Sequence, residues 1–170
     1  MPKIILWAGL LLFAQTALAQ SGMKWMTLAE AEAAAAGDPR PILIDLYTDW
    51  CGWCKVMDKK TYKNKNVYNY LNSKFYAVKL DAESRSKLAW KGKSYSYNVR
   101  YRVNEIALFL SPAQLSYPTT VIIPPGTNEP QPIPGFLEPK DMELLVKYFG
   151  EGAYKTSSFP EYQRGFKGNW

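Results

Sequence analysis

Two cysteines three residues apart, Cys51 and Cys54, are the only cysteines in a chain of 170 residues. They follow the nearly unbroken apolar run Ile42-Leu43-Ile44-Asp45-Leu46-Tyr47 after a short turn, Thr48-Asp49-Trp50. A run that short and that apolar reads as a central strand covered on both faces. A strand that delivers Cys-x-x-Cys to the start of a helix is the local architecture of a thiol–disulfide exchange site.

Exchange needs a thiolate, and a free cysteine with a pKa near ~8.5 is mostly protonated at neutral pH. At a helix N-terminus, unpaired backbone N–H groups and the macrodipole stabilise a negative charge on Cys51. Cys54, one turn on and expected to be more enclosed, is then placed to resolve a mixed disulfide formed at Cys51. Three other uses of the pair are open. Structural zinc wants four ligands, and two cysteines with no histidine fall short, so no metal is expected. A purely structural disulfide would close a loop too short to constrain the unfolded chain much. A Cu(I) carrier would find Met57 nearby but no cluster of soft ligands.

The segment Asp45-Leu46-Tyr47-Thr48-Asp49-Trp50-Cys51-Gly52-Trp53-Cys54-Lys55 resembles the active-site segment of thioredoxin-fold proteins. It is most similar to exported Trp-Cys-x-Trp-Cys proteins and to the C-terminal periplasmic domain of transmembrane thiol:disulfide interchange proteins. The similarity continues through Val56-Met57, Thr61-Tyr62, Val67, Leu71-Asn72, Phe75 and Val78-Lys79-Leu80-Asp81, and returns at Tyr117-Pro118-Thr119-Thr120. It spans roughly 24–149, with an insertion at about 82–116 that a minimal thioredoxin lacks. The resemblance implies a three-layer α/β sandwich, a mixed central sheet flanked by helices, with a helical insertion before the strand that follows a cis-proline. It also implies roles. Asp45 takes the position of the buried acid that accepts the Cys54 proton, and Lys79 that of the lysine paired with it. Pro118 matches the cis-proline facing the dithiol, so Tyr117 would present its backbone to an extended substrate. Trp50 and Trp53 would shape the site.

Met1-Pro2-Lys3 is a basic start, Ile4 to Ala14 an apolar run, and Ala17-Leu18-Ala19 a cleavage pattern before Gln20. Together they read as a secretory signal peptide over 1–19, too short and too interrupted for a span of about 20 residues. The expectation is export to a bacterial periplasm, without stable membrane insertion after cleavage. Exported domains often carry several structural disulfides. A single close pair leaves folding to the core and the cysteines to chemistry.

The chain holds 21 Lys/Arg against 15 Asp/Glu, and the excess is concentrated: residues 55–102 carry thirteen basic side chains and three acids, Asp58, Asp81 and Glu83. Lys55, Lys59, Lys60, Lys63 and Lys65 follow the cysteines directly. Such a field favours a thiolate or steers acidic partners, unless it is only a solvated helix face. In the insertion, Trp90, Tyr95, Tyr97 and Tyr101 alternate with basic residues. No nucleic-acid motif accompanies them, so nucleic acid is not expected as a partner.

Along the chain, Thr27-Leu28-Ala29-Glu30 is a capping box opening a helix that stops at Gly37-Asp38-Pro39. Helices are expected from Cys54 to about Lys63, from Asn66 through Leu71, over Val103–Leu110, and from Pro139 to Gly150. Strands are expected at Pro41–Tyr47, Phe75–Leu80, Thr119–Ile123 and Ile133–Leu137. The domain runs over 20–150, and the tail, 151–170, carries aromatics that predict packing against the body. The functional expectation is an exported oxidoreductase, of reductase direction on the strength of Asp45, exchanging disulfides with protein thiols through Cys51 and Cys54. It needs no metal or organic cofactor but needs a membrane electron donor as partner. The Gly-Trp between the cysteines leaves oxidase and isomerase directions open. The alternative is a peptide-binding module or chaperone that uses the disulfide as a clip.

Overall fold

The computed structural model describes residues 22–170, so the expected signal peptide lies outside the described residues. The elements in order are β1 (Trp25–Met26), α1 (Leu28–Gly37), β2 (Ile42–Tyr47), α2 (Gly52–Lys60), α3 (Lys65–Lys74) and β3 (Tyr76–Asp81). Four short strands follow, β4 (Leu88–Trp90), β5 (Lys93–Tyr95), β6 (Tyr97–Asn98) and β7 (Val103–Asn104), then α4 (Glu105–Leu110), β8 (Thr119–Ile123), β9 (Gln131–Pro134), α5 (Pro139–Gly150) and α6 (Phe159–Gly165).

The main sheet has the order β1-β3-β2-β8-β9. β2 runs parallel to β3 and antiparallel to β8, so the sheet is mixed and β2 is its centre. Side chains alternate along β2. Ile42, Ile44 and Leu46 pack under α1 and α4 with Leu28, Ile106 and Leu110. Leu43 packs on the opposite face with Met57 of α2, Leu71 of α3 and Met142 and Leu145 of α5. This is the three-layer arrangement that the resemblance implies. At roughly 1.5–3 kcal/mol for each large apolar side chain, these two clusters supply most of the driving force.

Alternation also places Asp45 on the α2 side, beside Leu43 rather than beside Ile44. Its register partners are Lys79 on β3 and Thr120 on β8, so one row across the sheet carries three polar residues beneath α2. That row is the first element of the site.

Several boundaries differ from expectation. α2 begins at Gly52, because the Cys51 sulfur caps it, and ends at Lys60. The last strand is Gln131–Pro134 rather than Ile133–Leu137, because pairing of Ile133 with Thr120 fixes its register on β8. The insertion is helical only in α4. Before it lie two antiparallel hairpins, and Lys91 and Gly92, both with positive φ, form the two-residue loop of the first.

Candidate active site

β2 ends at Tyr47, and the Cys51 N–H donates to the Thr48 carbonyl at 3.1 Å, turning the chain into α2. Cys51 occupies the N-cap, where Ser, Thr, Asp or Asn is usual. Its Sγ accepts the Cys54 N–H at 3.0 Å, and the two sulfurs are joined as a disulfide. A thiolate at Cys51 would meet that same N–H and the positive end of α2, whose first turn holds no acid. The expectation that Cys54 is the more enclosed of the two does not hold for the disulfide, since each is 4% exposed. Their difference is position: Cys51 is the cap and Cys54 lies inside the first turn.

Aromatic rings flank the pair. Trp50 is 67% and Trp53 62% exposed, although large apolar side chains seldom stand so free. Both are held. Trp50 donates its indole N–H to Glu83 at 2.9 Å and meets the Tyr117 ring edge-on at 5.9 Å. Trp53 lies against Phe136, ring centroids 5.6 Å apart. The Tyr117–Pro118 peptide bond is cis. Burial, with the charges of Glu83 and Asp81, pushes the Tyr117 hydroxyl up to about 12.

Beneath α2, Asp45 is 2% exposed. Its Oδ2 accepts from Lys79 Nζ at 3.1 Å, whereas Oδ1 has no hydrogen-bond partner. Burial pushes the Asp45 carboxyl up to about 6, with Lys79 opposing and Asp58 reinforcing the rise. Lys79 also pairs with Asp58, which lies one turn beyond Cys54 on α2. The ammonium rests against Tyr47, Trp25 and Tyr62, at 5.1, 5.2 and 5.9 Å from the ring centres. Burial works against its charge, but Asp45 and Asp58 raise its pKa, so it stays an ammonium. The Tyr62 hydroxyl lies near enough to influence Asp45 without making a hydrogen bond of ordinary geometry.

Of the expected site residues, Trp50 meets Tyr117, Trp53 stands between the two cysteines on α2, and Pro118 carries the cis bond that follows Tyr117. Asp45 and Lys79 form an ion pair below α2, which Asp58 of that helix joins. Among the described residues no hydrogen bond links Asp45 to Cys54. Sequence reasoning missed Asp58, the sole acid of α2, and Glu83, which anchors Trp50. No group of His, Cys, Asp and Glu suited to a metal occurs among the described residues.

Comparison with known proteins gives the family and the fold. The family model Thioredox_DsbH (Protein of unknown function, DUF255) matches residues 14–133, more than half of the chain. The chain belongs to this family. Relatives of the chain include the thiol:disulfide interchange protein DsbD of Pectobacterium atrosepticum, 40% identical over 45 residues that cover 26% of this chain and 8% of DsbD. Another is the thioredoxin-like protein slr0233 of Synechocystis, 33% identical over 54 residues that cover 32% of this chain and 49% of the relative. The chain thus spans less than half the length of these curated relatives. A thioredoxin-fold protein from Helicobacter pylori superimposes with a TM-score of 0.55 at 18% identity, covering 74% of this chain and 83% of its own, which shows the fold. No helix among the described residues is long and apolar enough to cross a membrane.

Proposed function

We propose that this protein is an exported, periplasmic thiol–disulfide oxidoreductase working as a reductase on protein disulfides. The observation that carries the reading is the pairing of a capped Cys51–Cys54 unit with a buried carboxylate, Asp45, that keeps one oxygen free. In the reduced protein the Cys51 thiolate attacks a substrate sulfur. A Cys51–substrate disulfide forms, the substrate S–S bond breaks, and the departing thiolate takes a proton from solvent. Cys54 then passes its proton to Asp45, directly or through water, and attacks Cys51 Sγ. The second substrate thiolate leaves, and the Cys51–Cys54 disulfide remains. Two electrons have moved to the substrate, so a donor must return them; we assign that part to a membrane partner.

Lys79 steadies the Asp45 carboxylate, and Trp50, Trp53, Tyr117 and Pro118 contact the visiting chain. No metal or organic cofactor takes part. Two substitutions test the scheme against a module that only binds peptides. Cys51→Ser should abolish reduction of a protein disulfide such as that of insulin. Cys54→Ser should accumulate a covalent adduct on Cys51 that dithiothreitol releases. Unchanged turnover in Cys51→Ser would sink the reading. The direction is tested by potential: a value near that of thioredoxin, about −270 mV, is expected, and one near about −120 mV would make the protein an oxidant.

A further inference from the structure

The five lysines that follow the cysteines are left without a role by the proposed reaction, yet three of them gather around one hollow. Lys55, Lys59 and Lys63 line a concavity of about 550 Å³ together with Lys79, Asp58, Tyr62, Trp25 and Met23. Asp58 is the only acid in that lining, and its charge is matched by Lys79. Among the described residues Lys55, Lys59 and Lys63 enter no ion pair. Three like charges around one hollow repel one another, and an anionic occupant would relieve them.

Position and spacing favour one kind of occupant. The Lys55 N–H bonds the Cys51 carbonyl, so the hollow begins one helical turn from the reactive sulfur. Lys55 and Lys59 are one turn apart on α2, about 6 Å along its axis. Alternate residues of an extended chain are about 6.6 Å apart and point the same way. Two acids separated by one residue therefore match the two lysines, while Trp25 and Tyr62 offer apolar wall to the stems between charges. A compact inorganic anion would use the charge but not the spacing.

We propose that this hollow docks an acidic, extended segment, Asp/Glu-x-Asp/Glu, of the protein that exchanges disulfides at Cys51. The inference rests on the proposed exchange for the identity of its occupant, so its test is made independent of sulfur chemistry. Two short peptides, Glu-x-Glu and its Gln-x-Gln counterpart, both with serine in place of cysteine, are titrated into the oxidised protein by calorimetry at low salt. The acidic peptide should bind about tenfold more tightly, the sum of two exposed ion pairs. The preference should vanish near 1 M salt, where the Debye length is about 3 Å. It should also vanish in Lys59→Glu/Lys63→Glu, whose reduction of a small-molecule disulfide should stay unchanged. Equal affinity for the two peptides, or a preference that survives the double substitution, would overturn the docking site. Failure to reduce any disulfide would instead count against the proposed function, because binding is read without it.

Discussion

Asp45 bears on stability and, in the proposed reaction, on proton transfer. Its carboxyl, pushed up to about 6 by burial, binds a proton in the folded protein at pH values where the unfolded chain has lost it. The sign follows directly: the contribution of this group to stability is fully present below about pH 4 and is lost as pH rises through about 6. A rise of about two units corresponds to roughly 3 kcal/mol. Asp45→Asn should therefore stabilise the protein by about 2–3 kcal/mol at pH 7.5 and by almost nothing at pH 3.5, as measured by denaturant unfolding at the two pH values. The same carboxylate must be ionised to accept a proton, so resolution of the mixed disulfide should speed up through about pH 6 and lose that step in Asp45→Asn. A flat profile in the parent protein would remove Asp45 from the mechanism. Asp58→Asn should move the step to lower pH, since the Asp58 charge helps to raise Asp45. Asp45 was legible in the sequence because a lone carboxylate interrupts an apolar run. Asp58 was not: among Lys55, Lys59 and Lys60 it looks like any solvated acid, and only the β2–β3 register, which sets Lys79 beside Asp45, gives Lys79 the reach to join both.

At the scale of elements, the insertion is tied to the site through its first residues. Glu83, fixed by its own N–H to Asp81 Oδ1 at 2.9 Å, holds the Trp50 indole. The following turn is secured by Asn104, fully buried, whose Nδ2 donates to the carbonyls of Ser84 and Ser86 at 3.0 and 2.9 Å. Its Oδ1 meanwhile caps α4 by accepting the Ile106 N–H at 3.2 Å. Asn104→Ala removes the cap and strands two carbonyls, and should cost about 3 kcal/mol in urea unfolding. A loss below about 1 kcal/mol would show that the turn finds other partners. The helix here was legible from Ile106, Ala107 and Leu110, but Val103, expected to begin it, pairs with Asn98 in β7, and the hairpins were not legible. Their strands are two or three residues long, too short for a period to show, and a buried tryptophan, Trp90, sits among lysines because its indole N–H finds Asn128 at 2.9 Å. The strand β9 was misplaced for a related reason: pairing with β8, not local preference, decides which residues extend.

Over the whole molecule, the two sheet faces end differently. The face under α1 and α4 is closed by the insertion, whereas the face under α3 and α5 is closed by the C-terminal segment. Tyr154, Phe159, Tyr162 and Trp170 pack on the second core, and the Tyr148 ring of α5 meets Tyr154, Phe159 and Tyr162. The end of the chain is pinned by one carboxylate. Glu143 is 1% exposed, accepts from Lys147 at 2.8 Å, and accepts the backbone N–H groups of Asn169 and Trp170 at 2.9 and 3.1 Å. Burial alone would raise its pKa, but Lys147 and those N–H groups outweigh it and hold the carboxyl below its ordinary value. The sign is opposite to that of Asp45: this stability is present above the unfolded pKa near ~4.5 and is lost as pH falls through the folded value. Gly168 passes so close that an added Cβ would lie 2.6 Å from Glu143 Oε2, and the pinned carboxylate has little room to yield. Glu143→Ala leaves Lys147 without its partner and the tail without its anchor, and should cost about 3 kcal/mol at pH 7. Gly168→Ala should cost less, about 1–2 kcal/mol, because it displaces the anchor without deleting it. Both variants should reduce a small-molecule disulfide at the parent rate, since Cys51 at the start of α2 and Asp45 and Lys79 below it share no hydrogen bond with the tail among the described residues. A loss of exchange rate that tracks the loss of stability would show instead that the closing of this face and the dithiol chemistry are one cooperative unit.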